Sequence, residues 1–119
     1  MSTLLRDFES GALDPTAFTH GAHIKAAHAL LSETPFLDAS QRYMRAIAQL
    51  AAQAGAPQKA NLTITLAFLS AIAERMNDGE DADAFLARAQ DLMEKDFLRR
   101  WYTSERLKDP RARTMLLLP

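Results

Sequence analysis

Apolar residues recur along this chain at three- and four-residue spacing, and no stretch alternates with the two-residue period of a half-buried strand. The pattern predicts an all-α protein, a single-domain helical bundle of about five to six helices spanning residues 1–119. Breaker residues divide it. The stretch STLLRDFES reads as a short first helix stopped by Gly11, and Asp14 followed by Pro15 reads as a cap and a first helical position. Thr19 caps a second helix reaching about Ser32. SETPFLD is a loop from which Asp38 caps a helix over 39–54, closed by Gly55 and Pro57. Asn61 starts a further helix to about Met76, before the turn NDGEDAD. Helices over 82–94 and 96–103 and a last turn near Lys108 complete the prediction.

Helical wheels sort the faces. In 39–54, Tyr43, Met44, Ile47 and Leu50 gather opposite Gln41, Arg42, Arg45 and Gln49, the pattern of a surface helix. In 62–76 the apolar arc is wider, leaving only Thr63, Ser70 and Glu74 on a polar strip, which predicts the central helix of the bundle. Thr65 falls inside that arc, so its hydroxyl needs a partner, for which the carbonyl four residues back is one option.

Composition narrows the class. One domain is the expectation for 119 residues. A net charge of -1 gives the molecule no overall field for nucleic acid or anionic membrane. The absence of cysteine excludes disulfides, thiolate metal sites and catalytic thiols. No run approaches the length of a membrane span, and MSTLLRDFESG carries acids where a signal peptide needs an apolar core, so a soluble cytoplasmic protein is expected. Basic residues between Lys95 and Arg113 interleave with Phe97, Trp101 and Tyr102, a pattern suited to phosphate or base stacking in isolation. The slightly acidic whole makes nucleic acid an unfavoured partner. The alternative is that Trp101 and Leu98 anchor this segment while Arg99, Arg100 and Arg106 face water or nearby acids.

All three histidines lie in FTHGAHIKAAH. On a helix, Ile24, Ala27 and Leu31 fall within roughly 40° of His20, with His23 about 60° to one side and His28 about 80° to the other. His20 therefore sits in the core-facing stripe, and His20 and His23 can converge on one point. They are candidate metal ligands or candidate catalytic residues. A metal needs further donors, and no second histidine pair, His-Glu-x-x-His or carboxylate at ligand spacing supplies them.

The blocks FTHGAHIKAA, GAPQKANLTIT and WYTSERLKDPRAR, with a closing LLP, resemble a small and largely uncharacterised bacterial family patterned F-x-H-x-x-H, K-Y-H-E-T-I-T and Y-Y-S-x-E-x-L-x-x-x-x-A-R. His20 and His23 match the first block, Lys59, Thr63, Ile64 and Thr65 the second, and Tyr102, Glu105, Leu107, Ala112 and Arg113 the third. Where the second block has His-Glu, this chain has Asn61-Leu62. The resemblance implies that part of a metal or acid-base set is missing here, which favours a role with no metal and no cofactor. It also implies that the helix starts at His20 and Asn61 face each other.

A pocket follows from that juxtaposition, rimmed by helix-start amides, the two imidazoles and Lys59, and suited to an anionic or carbonyl oxygen. His20 is the candidate general base, expected to be buried and neutral, with His23 orienting or donating. Lys59, Asn61, Thr63, Thr65 and Tyr102 are the candidate ligand-binding residues. Three functions remain open: a small-molecule-binding protein or cofactor-free enzyme, of a biosynthetic or tailoring kind; a helical interaction module or homodimer in which the histidines are structural and MLLLP docks on a partner; and a degenerate metal-dependent enzyme.

Overall fold

Caps and glycines set the helix ends. The computed structural model describes residues 3–119, so Met1 and Ser2, the latter part of the expected opening helix, lie outside the described residues. Helix α1 (Thr3–Ser10) stops where Gly11 takes a φ of 80°, a conformation that costs glycine little. Asp14 accepts a hydrogen bond from the Thr16 amide, but Pro15–Ala17 forms only one 3-10 turn. Helix α2 (His20–Glu33) begins at Thr19, whose hydroxyl accepts from the Ala22 amide at 3.2 Å. Helix α3 (Phe36–Gln53) starts three residues before the expected position. Its cap is Pro35, with no side-chain cap bond, and Asp38 lies in the first turn, where a carboxylate favours the positive helix end. Gly55, at φ 73°, turns the chain after it.

Helix α4 (Leu62–Arg75) is capped by Asn61, whose side-chain oxygen accepts from the Ile64 amide at 2.9 Å. Helix α5 (Ala82–Arg88) is capped by Asp81 and ends well short of Glu94. The shortening has a packing cause. Phe85, Ala89, Leu92 and Phe97 are all buried, and the chain rewinds into 3-10 turns at Gln90–Met93 and Phe97–Arg100 to point the last two inward. Helix α6 (Ser104–Lys108), capped by Thr103, and a 3-10 turn at Pro110–Arg113 complete the chain.

The hub of the bundle is α2 rather than α4. It packs against α1, α3, α4 and α5, and Ile24, Ala26, Ala27, His28 and Leu30 are all buried, so almost every face is covered. Small alanines let four neighbours approach. Helix α4 packs on α2, α3 and the C-terminal turns, with Ser70 and Glu74 exposed as its pattern predicts. Ion pairs tie the outside together: Arg42 bonds Glu9 of α1 and Glu33 of α2, and Asp91 bonds both Arg75 and Arg100.

The expected Trp101 anchor is corrected. Trp101 is 52% exposed, while Phe97 and Leu98 are buried and carry the anchoring. Arg100 pairs with Asp91 and lies 4.6 Å from the Phe97 ring centroid. Among the described residues no helix is long and apolar enough to cross a membrane.

Candidate functional site

Helices α2, α3 and α4 border a partly open cavity of about 240 Å³. From α2 come His20, His23, Ile24 and Ala27, and from α3 Tyr43 and Ile47. Lys59 and Asn61 enter from just before α4, and Ile64, Thr65, Phe68, Leu69 and Ile72 from α4 itself. Residues some forty positions apart in sequence thus share one wall. Five of the candidate residues, His20, His23, Lys59, Asn61 and Thr65, line it.

Two candidates lie elsewhere. Thr63 is fully buried on another face of α4, two residues and about 200° of helix from both Asn61 and Thr65. Its hydroxyl donates to the Met115 carbonyl at 2.7 Å and accepts from the Leu117 amide at 3.0 Å. The buried Tyr102 donates its phenol proton to the Leu117 carbonyl at 2.8 Å, and Arg106 Nε donates to the Leu118 carbonyl at 2.8 Å. Thr63 and Tyr102 thus clasp the C-terminal segment and lie off this cavity, Tyr102 bordering a second hollow. The polar strip expected at Thr63 fails because that segment covers it.

His20 stands at the first position of α2 and is exposed, which overturns its expected burial. Its ring meets Phe68 edge-on at 5.6 Å between centroids, and Nε2 lies 2.9 Å from the Leu92 carbonyl oxygen. A carbonyl only accepts, so Nε2 carries the proton and Nδ1 keeps a lone pair in the neutral ring. The contact with Phe68 also shows that the two helix starts are offset. Phe68 is seven residues, about 10 Å along the axis, beyond Asn61.

His23 is more enclosed, stacked on Phe18 with ring centroids 4.0 Å apart. The Tyr43 hydroxyl bridges its Nδ1 at 3.3 Å and its carbonyl oxygen at 3.4 Å. Burial, with His20 adding repulsion, pushes the His23 imidazole down to about 4, the Phe18 carbonyl opposing. At neutral pH His23 is therefore an uncharged hydrogen-bonding group and a weak base. Burial raises the Tyr43 phenol, so it remains a donor.

The helix-start amides contribute less than expected. Thr19 and Asn61 occupy the Ala22 and Ile64 amides, and their carbonyls accept from His23 and Thr65. The charge on the cavity wall comes instead from Lys59, which is exposed and makes no ion pair among the described residues. The Thr65 hydroxyl makes no hydrogen bond among the described residues, not even to the Asn61 carbonyl, and Thr65 lines the cavity. Sequence patterns passed over Tyr43, which looked like one more apolar-stripe residue, and the Leu92 main chain, which leaves no sequence signal.

His28 belongs to a different environment. It is 3% exposed, its ring beside Phe85 at 5.1 Å, with Nδ1 3.5 Å from the Ser32 hydroxyl and Nε2 unpartnered among the described residues. Burial lowers its affinity for a proton, against the pull of Glu80 and Asp81.

Among the described residues no three His, Asp or Glu side chains are grouped to hold a metal. Of the Asn61-Leu62 pair, only Asn61 reaches the cavity. Asn61→His is therefore expected to raise zinc affinity by roughly tenfold over the wild type, while costing about 1 kcal/mol through the lost cap. Leu62→Glu alone is expected to add nothing. Equal zinc titrations for Asn61→His and wild type would count against a ligand-set origin for the block.

No protein-family model, curated protein or solved structure matches the chain.

Proposed function

We propose that this protein binds a small organic molecule in the cavity between α2, α3 and α4, as a binding protein or cofactor-free enzyme of biosynthetic or tailoring kind in the cytoplasm. The observation that carries the reading is the shared wall. Four polar residues, His20 and His23 of α2, Asn61 from the cap of α4 and Thr65 of α4, line one mainly apolar cavity. Such a cavity with a few convergent polar groups is the usual form of a small-molecule site. In this reading His20, its tautomer held by the Leu92 carbonyl, offers Nδ1 as the proton acceptor, and neutral His23 orients the ligand through a hydrogen bond. Lys59 supplies the attraction for an anionic or carbonyl group, with membrane and nucleic acid outside the partner set. The block pattern extends the proposal to membership of the bacterial family it resembles, with Asn61-Leu62 marking a member that works without metal.

A second reading has its own observation. Leu37 (76% exposed), Leu118 (69% exposed), Leu116 and Trp101 border another hollow, which suits an interaction module or homodimer.

His20 variants separate the two. Because His20 is exposed, the cavity penalty of a core truncation does not apply. His20→Ala and His20→Phe are each expected to change stability by about 1 kcal/mol or less, chiefly the hydrogen bond to Leu92. Both are expected to lose the rise in melting temperature given by metabolites recovered from the purified wild-type protein. A rise undiminished in His20→Phe is the result expected of the interaction module.

A further inference from the structure

The cavity's volume and lining define a class of ligand. A dry engineered cavity of about 150 Å³ holds benzene, so by proportion a volume of this size takes roughly ten non-hydrogen atoms. Its volume is about 240 Å³, and Ile24, Ile47, Ile64, Phe68, Leu69 and Ile72 make most of its wall hydrocarbon. A sugar or nucleotide would leave its polar groups unpaired against such a wall.

Charge narrows the class further. Among the described residues no Asp or Glu lines the cavity, Lys59 is the one permanently charged residue that does, and it makes no ion pair. His23 adds no positive charge, being neutral at physiological pH. One ammonium matches one negative charge, whereas a phosphate dianion calls for a cluster of cations or amide donors. Thr65 is on the same wall, and its hydroxyl, unpartnered among the described residues, offers a second, neutral donor.

Resting on the small-molecule reading above, we infer that the ligand is a monocarboxylate of roughly ten non-hydrogen atoms, its apolar body among the isoleucines and its carboxylate on Lys59 and Thr65. Straight-chain acyl acids and arylalkanoic acids share this chemistry.

Calorimetric titration of the whole protein with octanoate, 4-phenylbutyrate, hexadecanoate, methyl octanoate and octylamine tests it. Octanoate or 4-phenylbutyrate is expected to bind tightest, the better of the two identifying the source. The ester is expected to bind more weakly, and octylamine and hexadecanoate weakest of all. In Lys59→Met, an exposed position where folding is not at stake, the two carboxylates are expected to weaken by about tenfold and methyl octanoate by much less, since its carbonyl loses a hydrogen bond but no charge pairing. Methyl octanoate or octylamine binding as tightly as octanoate overturns the carboxylate assignment and leaves the cavity reading standing, since the apolar body still binds. Absence of binding by every probe also overturns the assignment, and metabolite recovery with the His20 variants then judges the cavity on its own.

Discussion

Thr63→Val is expected to cost about 2 to 4 kcal/mol of folding stability while leaving the His20 cavity intact. Valine matches threonine in shape, so no hole opens and the loss is one of hydrogen bonds. The hydroxyl it removes is fully buried and serves two main-chain groups, the Met115 carbonyl and the Leu117 amide. Both would be left beside a methyl group, each costing about 1 to 3 kcal/mol unless water reaches it. Urea denaturation measures the total, and amide exchange at Leu117 reports release of the segment. Tyr102→Phe removes only the bond to the Leu117 carbonyl and is expected to cost about 1 kcal/mol. Since both variants free the same residue, the double variant should cost less than the sum. A Thr63→Val loss below about 1 kcal/mol would mean that the clasp carries little of the stability.

Stability is expected to fall in mild acid, before the carboxylates titrate. His23 is pushed from 6.5 in the open chain to about 4 in the fold, chiefly by burial. Between those values the unfolded chain binds a proton that the folded one refuses. The contribution is therefore whole above pH 6.5, declines as pH falls, and is gone below about 4. Allowing for the partial exposure of His23, its share between pH 7.5 and 5 is about 1 to 2 kcal/mol. His28, also lowered by burial, acts in the same direction. Urea midpoints at pH 7.5 and 5 for the wild type and His23→Phe provide the test, and the variant should show the shallower dependence. Parallel profiles would show that His23 is not a source of acid sensitivity.

Local rules placed much of this fold. Thr19 and Asn61 each bond the amide three residues ahead, as their residue types and positions predict, and Gly11 and Gly55 take the positive φ expected of helix ends. What escaped them was decided at long range. The 82–94 segment has good helix formers, yet burial of both Leu92 and Phe97 breaks it. Thr63 looked like a surface residue because the segment covering it arrives more than fifty residues later. The candidate site followed the same division. Adjacent turns put His20 beside His23 and Asn61 beside Thr65, but only tertiary packing sends Thr65 into the cavity and Thr63 to the clasp. Burial fell on His23 rather than His20, since a wheel assigns a direction and takes no account of a residue's place at the end of a helix.

The anchor of His20 is a carbonyl, not a side chain. Every amino acid at position 92 would offer that same oxygen, so sequence drift there is limited by the need to fill a buried apolar site and not by any duty to hold the imidazole. The proton on Nε2 is in this sense inherited from the path of the backbone, and the residue that fixes it is free to change its chemical identity without changing its role.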